Sequence, residues 1–566
     1  VIHHAFTCLL NLKPLEFFVD MLLSQVWPAF GTTEETMFEG RLYAVFYAVP
    51  YAASPIGKHR FKDPLPMAKW KMQRDCTSEY FGTCAQHHIT QRNAVFGFED
   101  CLRLNIYTPY TELHRQSILK PVLVWVHGFA FTTSFSHIYL PDHFIDNDIL
   151  FVSISHRIGA FGFLKLNESD SNANMGLKDI QIGLKWIRKN IHKFGGDKNQ
   201  ITLMASGSAG TFASMLLLTK ARKLFSKLII LSAGISSPSL FHDDQNTELF
   251  KLSKELKKLT IENVTKASTE NIITASDRIY KRKDLFNAQR PVIPFTPIVE
   301  KKSNQSLLTR RPSKSALKKV NIPILIGFNA QEGLTEVIPF LSNPNNMKIL
   351  EKSFKYFVPF PSGCHHDMKA QTYKRVAHKL IRSYMKEDFS EKSVQRILKY
   401  ASDIQKYPIY KFIKALVEHK KTVYVYKFNY NGMFNAFKNS AISESKLNVS
   451  GAASGDELCY IFRCNPIIEG YHPLVTNMTH PERIFIKKIA TAFSNFVKTG
   501  DPTPDTFHDF KWPPMTSEYN QLLLFKKKEI KMTYPHAEEK MLKFWNKIYD
   551  EHYAPEHCVK IKHEEL

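Results

Sequence analysis

The chain lacks a long apolar segment. No stretch of 18 uninterrupted apolar residues occurs within its 566 residues, whereas a membrane-spanning helix needs about 20 predominantly apolar residues. The sequence therefore predicts no transmembrane helix. It also lacks internal repeats with a period of about 20–50 residues and long low-complexity linkers. These absences exclude solenoids, propellers and strings of flexibly joined modules.

Motifs for metal and nucleotide chemistry are missing as well. The chain contains no His-Glu-X-X-His, Walker or dinucleotide-binding sequence, and each of these places specific ligands or glycines at a fixed spacing. We therefore expect neither a metal ion nor an organic cofactor.

Charge is abundant but not organised into a known binding motif. The net charge is +23, and a basic protein can bind nucleic acid or an anionic membrane. The lysines are scattered in short clusters, however, and no zinc-finger, helix-turn-helix or RNA-binding motif accompanies them. We therefore expect a solvated basic surface and no nucleic-acid partner.

The apolar residues that are present predict an α/β fold. Continuous or nearly continuous apolar runs are typical of strands buried on both faces, and they occur at residues 122–126, 150–154, 201–204, 228–231 and 322–326. Helical spacing occurs at residues 176–194 and 209–218, and a helix-rich, charged region at about 347–421 could cap the sheet. Strands that alternate with helices favour a mostly parallel sheet covered by helices on both faces.

A serine motif lies between a predicted strand and a predicted helix. Residues 206–210 read Ser-Gly-Ser-Ala-Gly, a variant of the Gly-X-Ser-X-Gly nucleophile elbow in which Ser206 replaces the first glycine. In such a turn the serine backbone is strained and its neighbours must be small. We therefore expect Ser208 to be the nucleophile at the elbow.

Ordered blocks along the chain resemble the type-B carboxylesterase/cholinesterase family of the α/β-hydrolase fold. The similarity runs from about residue 33 to residue 549. Its blocks are residues 47–61, 99–107, 194–197, 496–502 and 512–513. The domains predicted from it are an N-terminal segment of unassigned status (1–32), a carboxylesterase type-B domain (33–550) and a C-terminal tail (551–566).

The resemblance implies specific partners for several residues. It implies a disulfide between Cys84 and Cys101 and a structural ion pair between Arg60 and Glu99. It also implies that Glu332 is the acid that orients the triad histidine, in the chain order serine, acid, histidine.

The oxyanion hole implied by the resemblance is altered. Its donors would be the backbone N–H groups of Phe129, Ala130 and Ala209. Phe129 and Ala130 replace glycines of the family, which allow the backbone to approach the reacting oxygen closely. Loss of one such donor lowers the rate by about a hundred- to a thousandfold.

The triad histidine is also replaced. The family reads Gly-Ala-X-His-Gly-Asp-Glu-Leu where residues 451–458 of this chain read Gly-Ala-Ala-Ser-Gly-Asp-Glu-Leu, so Ser454 occupies the position of the histidine. A serine hydroxyl cannot act as a general base near pH 7. His127, His156 and His472 are among the 23 histidines that could substitute for the missing base.

Three functional hypotheses follow from these replacements. The first is a carboxylesterase-like pseudoenzyme with impaired or absent hydrolysis, in which a hydrophobic ester or acid could still bind. The second is an active carboxylic ester hydrolase that uses Ser208 with a non-standard base. The third is a non-enzymatic adhesion or recognition protein of the same family.

Several features point to the secretory pathway. Eight cysteines permit disulfides, although beyond Cys84 and Cys101 their pairing stays open. Five Asn-X-Ser/Thr sequences predict glycosylation at Asn167, Asn263, Asn304, Asn448 and Asn477. The last four residues, His563 to Leu566, resemble an endoplasmic-reticulum retrieval signal and predict binding to a retrieval receptor. We therefore expect the lumen of the endoplasmic reticulum, with secretion as the alternative.

Overall fold

The structure is a computed structural model. It describes residues 29–553 except for residues 71, 79–81, 88–93, 114–117, 167–172, 236–245, 258–259, 280–292, 344, 355–357, 359–370, 391–392, 444–448, 506–508 and 528. The predicted N-terminal segment and C-terminal tail lie almost entirely outside the described residues, so the domain boundaries stay a prediction.

An eleven-stranded sheet runs through the described part of the chain. Its strands are β1 (Thr32–Glu35), β2 (Leu42–Pro50), β3 (Arg103–Thr108), β4 (Lys120–Gly128), β5 (Leu150–Ile154), β6 (Gly196–Gly207), β7 (Lys227–Leu231), β8 (Ile324–Asn329), β9 (Val423–Phe428), β10 (Leu522–Lys526) and β11 (Glu529–Thr533). Their spatial order is β11-β10-β9-β8-β7-β6-β4-β5-β3-β2-β1. The seven strands from β10 to β5 are parallel, and the strands at both ends of the sheet are antiparallel.

The central strands are buried on both faces, as their continuous apolar sequences predict. In β4 the side chains alternate between two hydrophobic cores: Val122 and Val124 face one core, and Leu123 and Trp125 face the other. All five residues of β5 are buried. The five strands predicted from the sequence are therefore confirmed, with ends that differ by a few residues.

Helices cover both faces of the sheet. The longer ones are α1 (Met175–Asn190), α2 (Ser208–Leu217), α3 (Asn246–Glu255), α4 (Thr269–Arg278), α5 (Leu334–Ser342), α6 (Asn346–Ser353), α7 (Gln371–Leu380), α8 (Val394–Glu418), α9 (Pro481–Thr499) and α10 (His536–His552). Helices α1, α2, α8 and α10 contribute to the first core, and α9 contributes to the second. This is the predicted α/β-hydrolase architecture.

Shorter helical segments of four to seven residues are also present. They span Asp142–Asp146, Gly159–Phe163, Ile261–Thr265, Ala436–Ile442, Leu458–Ile461 and His472–Thr476. The predicted helix-rich region contains α6, α7 and α8, and α8 packs against both α5 and α10. Across the described residues, every helix is too short or too polar to cross a bilayer.

Candidate active site

The sharpest turn of the site connects β6 to α2. Gly207 ends the strand with φ 59° and ψ −130°, and Ser208 is the first residue of the helix, outside the set of residues with positive φ. In a nucleophile elbow the nucleophile itself takes the strained conformation between strand and helix. The apex of this turn is therefore Gly207, and the expectation that Ser208 holds the strained position is corrected.

The space around Gly207 leaves no room for a side chain. Gly207 lies opposite Gly128 in the parallel pair of β6 and β4. A Cβ atom added to Gly207 would lie 2.4 Å from the carbonyl oxygen of Gly128, well inside van der Waals contact. Glycine also takes positive φ without the steric cost that other residues incur. The turn is therefore built for a residue without a side chain.

Ser208 lies beneath the loop that follows β4. Its Oγ accepts a hydrogen bond of 3.0 Å from the backbone N–H of Phe131, and in the described part of the chain this is its only hydrogen bond. A Cβ atom on Gly128 would lie 3.0 Å from the same Oγ. The hydroxyl is therefore confined between the loop and the helix, with its oxygen engaged by a backbone donor.

The loop after β4 differs from the arrangement implied by the resemblance. The N–H of Phe129 donates to the carbonyl oxygen of Thr133 at 2.8 Å, and the Phe129 side chain is 57% exposed. Ala130 and Phe131 have φ values of 50° and 60°, which cost energy for residues with a Cβ atom. The backbone N–H of Phe129, one of the three expected oxyanion donors, is thus already used in a hydrogen bond within the loop.

The oxyanion donor expected from Ala209 shifts by one residue, just as the apex of the turn shifts from Ser208 to Gly207. The backbone N–H that follows the nucleophile is the one that contributes to an oxyanion hole. With Gly207 at the apex, that N–H belongs to Ser208, and Ala209 is the second residue of α2.

Glu332 lies in a buried network just after β8. Its Oε1 accepts hydrogen bonds from the hydroxyl of Ser232 at 2.7 Å and the backbone N–H of Asn329 at 2.6 Å. The side chain of Ser454 lies close enough to this carboxylate to help lower its pKa. Burial raises the pKa of Glu332 above its usual value, and these hydrogen bonds partly offset the rise. The structure thus brings Glu332 and Ser454 together.

The segment around Ser454 is held rigidly beside Glu332. The backbone N–H of Ala453 donates to Asp456 at 2.7 Å, and Gly451 and Gly455 take positive φ values of 93° and 86°. The N–H of Gln331 donates to the carbonyl oxygen of Ala452 at 2.9 Å. These contacts fix the position of residue 454 relative to the acid.

A second buried carboxylate, Glu457, was missed by sequence reasoning. Its oxygens accept hydrogen bonds from Asn329 Nδ2 at 2.6 Å and from the Ser232 hydroxyl at 3.3 Å. Burial, and then the neighbouring charge of Glu332, raise the pKa of Glu457 to about 8. The sequence gives no sign of this role, because the network joins three segments that are far apart along the chain.

The raised pKa of Glu457 predicts a pH-dependent stability. In the folded state Glu457 retains a proton that the unfolded chain has released above its ordinary pKa of about 4.3. Stability is therefore present at low pH and falls as the pH rises from about 4.5 to about 8. We expect Glu457→Gln to weaken this fall, measured as the unfolding midpoint from pH 5 to pH 8.

The control for this measurement is Glu262→Gln, which changes an exposed carboxylate. Glu332 contributes in the same direction as Glu457, so part of the pH dependence should persist in Glu457→Gln. Superimposable profiles for the wild type and Glu457→Gln would contradict the assignment of a raised pKa to Glu457.

The sequence pattern of the carboxylesterase family matches residues 30–545. The chain belongs to the carboxylesterase family. Venom carboxylesterase-6 of Apis mellifera is 26% identical over 487 residues, which cover 84% of each chain. Juvenile hormone esterase of Tribolium castaneum is 27% identical over 490 residues, 82% of this chain and 81% of the relative.

A solved structure of the carboxylesterase fold confirms the architecture. Juvenile hormone esterase from Manduca sexta superposes with a TM-score of 0.78 at 23% sequence identity, covering 93% of this chain and 99% of that one. At this level of identity the similarity establishes the shared fold alone.

Two disulfides occur within the described residues of this carboxylesterase chain. Cys84 and Cys101 are joined, and Cys459 and Cys464 form a second bridge across a separation of five residues. Arg60 pairs with Glu99, with its Nε 2.7 Å from Oε2, as expected. Disulfides are typical of oxidising compartments and are consistent with the secretory pathway.

The three histidines considered as substitute bases make no hydrogen bond to Ser208 within the described residues. His127 is buried and its Nδ1 accepts the N–H of Phe135 at 3.1 Å, and burial lowers its pKa to about 3. His156 is buried, and neither of its ring nitrogens has a hydrogen-bond partner among the described residues. His472 is exposed near Glu469. Throughout the described ranges, no histidine nitrogen hydrogen-bonds to Ser208, and no group of three potential ligands could hold a metal ion.

Two of the predicted glycosylation sites can be placed on the surface. Asn304 and Asn477 are exposed, and the Thr479 hydroxyl donates to Asn477 Oδ1 at 3.1 Å within its sequence motif. Asn167, Asn448 and the tail from His563 to Leu566 lie outside the described residues. Asn263 lies in a short helix.

Proposed function

We propose that this carboxylesterase-family chain is a pseudoenzyme, in which ester hydrolysis is impaired or absent. The observation that carries the proposal is Gly207 at the apex of the elbow. Acyl transfer needs a nucleophilic oxygen at that position, aligned with the oxyanion donors and with the base. A glycine supplies no such oxygen, whatever base stands nearby.

The replacement of the triad histidine supports the same conclusion. Ser454 lies beside Glu332, at the position from which the histidine contacts the acid in a serine-hydrolase triad. The Ser454 hydroxyl can occupy this position, but it cannot accept a proton from a nucleophile near pH 7. We therefore propose that the site lacks both the nucleophile and the base.

The position of Ser208 argues against its acting as an alternative nucleophile. Its Oγ accepts the N–H of Phe131 at 3.0 Å, so the oxygen is already engaged. Its backbone belongs to α2, which directs the side chain differently from that of a residue at the apex.

The direct test is hydrolysis of p-nitrophenyl acetate by the purified protein beside its Ser208→Ala variant. We expect the two proteins to hydrolyse the ester at the same rate, equal to the background rate of a protein that has no esterase site. A rate that falls at least about a hundredfold in Ser208→Ala would overturn the proposal, because it would show that Ser208 acts as a nucleophile.

A retained scaffold could still bind a hydrophobic ester or acid without converting it, and we propose this as the ligand class. We also propose that sugars are attached at the exposed residues Asn304 and Asn477, where a glycosyltransferase could reach them.

We further propose that the chain is retained in the lumen of the endoplasmic reticulum. The support is the similarity of His563 to Leu566 to receptor-read retrieval signals, together with two disulfides. Deleting these four residues should move the protein from cell extracts into the medium, measured by immunoblotting. If the deletion left the distribution between cell extract and medium unchanged, and the Leu566→Ala variant also stayed in the cells, the retrieval signal would be contradicted.

A further inference from the structure

A groove on the surface along α7 is lined almost entirely by basic side chains. It has a volume of about 480 Å³, and its walls are formed by Lys374, Arg375, His378, Lys379, Arg382 and Ser383. We call these six residues the basic groove. Four of the basic residues, all except the half-buried Lys379, are exposed.

Among the described residues, acidic side chains neutralise little of the positive charge of the basic groove. Lys379 Nζ lies 2.8 Å from Glu551, but Glu551 also approaches Lys547 and His552 at 3.6 Å each. One carboxylate is thus shared by three basic groups. Within the described structure, Lys374, Arg375 and Arg382 form no ion pair.

The spacing of these residues concentrates positive charge on a short stretch of chain. Lys374, Arg375 and Lys379 lie in α7, and Arg382 lies in the π-helical segment Ile381–Met385 that directly follows it. Arg375 and Lys379 are four residues apart, and like charges at this spacing destabilise an isolated helix. The segment nevertheless carries these cations with Glu551 as their one acidic partner among the described residues, so it offers closely spaced positive charge to a ligand.

We propose that the basic groove binds a linear, repeatedly sulfated polysaccharide. Closely spaced cations bind a polyanion chiefly by releasing its counterions, and arginine and lysine both bind tetrahedral oxyanions. A linear polymer fits a groove along its length. The secretory pathway, with which the disulfides are consistent, is also a compartment in which a protein meets sulfated sugars.

Other polyanions fit the basic groove less well. A peripheral membrane helix presents large apolar side chains beside its cations, and the groove walls contain none. Single-stranded nucleic acid is bound with aromatic side chains that stack on its bases, and these are absent from the walls as well. The chemistry of the groove is that of charge recognition alone.

The test measures heparin binding by the full-length protein as a function of NaCl concentration. Its variant is Lys374→Gln/Arg375→Gln/Arg382→Gln. The matched control, Lys318→Gln/Lys319→Gln/Lys527→Gln, removes the same charge from exposed lysines elsewhere. We expect the groove variant to elute from heparin at lower salt and to lose about two to three units of the slope of log K against log salt, while the control stays near the wild type.

Equal losses in the groove variant and the control would overturn the proposal, because binding would then follow net charge and not this site. Equal affinity for desulfated heparin would also overturn it. Tighter binding to phosphatidylserine vesicles or to an RNA oligonucleotide than to heparin would assign the groove to a membrane or to nucleic acid instead. Thermal unfolding midpoints at or above that of the wild type would establish that the groove variant is folded, since the substitutions remove repulsion between like charges.

Discussion

A Ser454→His substitution alone is expected to leave ester turnover at the level of the unmodified protein. The new imidazole would gain a hydrogen bond to Glu332, but the apex of the elbow would still be Gly207. A base without a nucleophilic oxygen beside it cannot start acyl transfer. The measurement is kcat/KM for p-nitrophenyl acetate.

Turnover should appear only when nucleophile, base and loop are changed together. The combined variant is Phe129→Gly/Ala130→Gly/Gly207→Ser/Ser454→His. The two glycines relieve the positive φ of Ala130 and free the Phe129 N–H, so that the Gly128 carbonyl can move away from the new Cβ atom. We expect kcat/KM to rise at least about 10³-fold above that of Ser454→His, because losing a complete triad costs up to about 10⁶-fold.

The matched control carries Gly207→Ala in place of Gly207→Ser, and it has the same Cβ atom without the hydroxyl. It should remain inactive while showing the same unfolding midpoint as the combined variant. If Ser454→His alone matched the combined variant, Ser208 would be the nucleophile and Gly207 a neutral neighbour.

Replacing Asp179 by alanine should destabilise the fold by about 3–5 kcal/mol, the usual cost of stranding one partner of a buried ion pair. Asp179 is fully buried and binds the Arg157 guanidinium through two bonds of 2.8 and 2.7 Å. It also accepts the Arg157 backbone N–H at 3.0 Å. Without the carboxylate, the guanidinium stays buried with an uncompensated charge.

The measurement for Asp179→Ala is the free energy of unfolding from urea titration. Glu262→Ala is the control, because Glu262 pairs with Lys266 on an exposed helix face where both side chains are 72% accessible. Exposed pairs contribute little, so the control should unfold at the wild-type midpoint. Equal effects in the two variants would contradict the assignment of a structural role to the Arg157–Asp179 pair.

The regular elements could be predicted from the sequence because burial leaves a direct pattern. The apolar runs that became β4 and β5 are buried on both faces, and the spacing over residues 176–194 corresponds to α1 and the turn that follows it. The ends of the strands were less predictable, because the residues at a strand end are compatible with both the strand and the turn that follows it. Strand β6, for example, continues to Gly207.

The elbow could not be assigned from its spacing. Ser-Gly-Ser-Ala-Gly contains small residues on both sides of two possible apices, and only the backbone reveals which residue has positive φ. The second disulfide, between Cys459 and Cys464, was likewise left open by the sequence, because cysteine spacing does not determine pairing. The Ser232–Asn329–Glu332–Glu457 network depends on three segments meeting in space.

The most direct measurement is the mass of the Ser454→His protein after incubation with a fluorophosphonate, with the modified residue mapped by peptide sequencing. We predict that Ser208 remains unmodified, whereas the combined variant is modified at residue 207. Rapid, stoichiometric modification of Ser208 in Ser454→His would contradict the account, because Ser208 would then stand where a histidine can activate it.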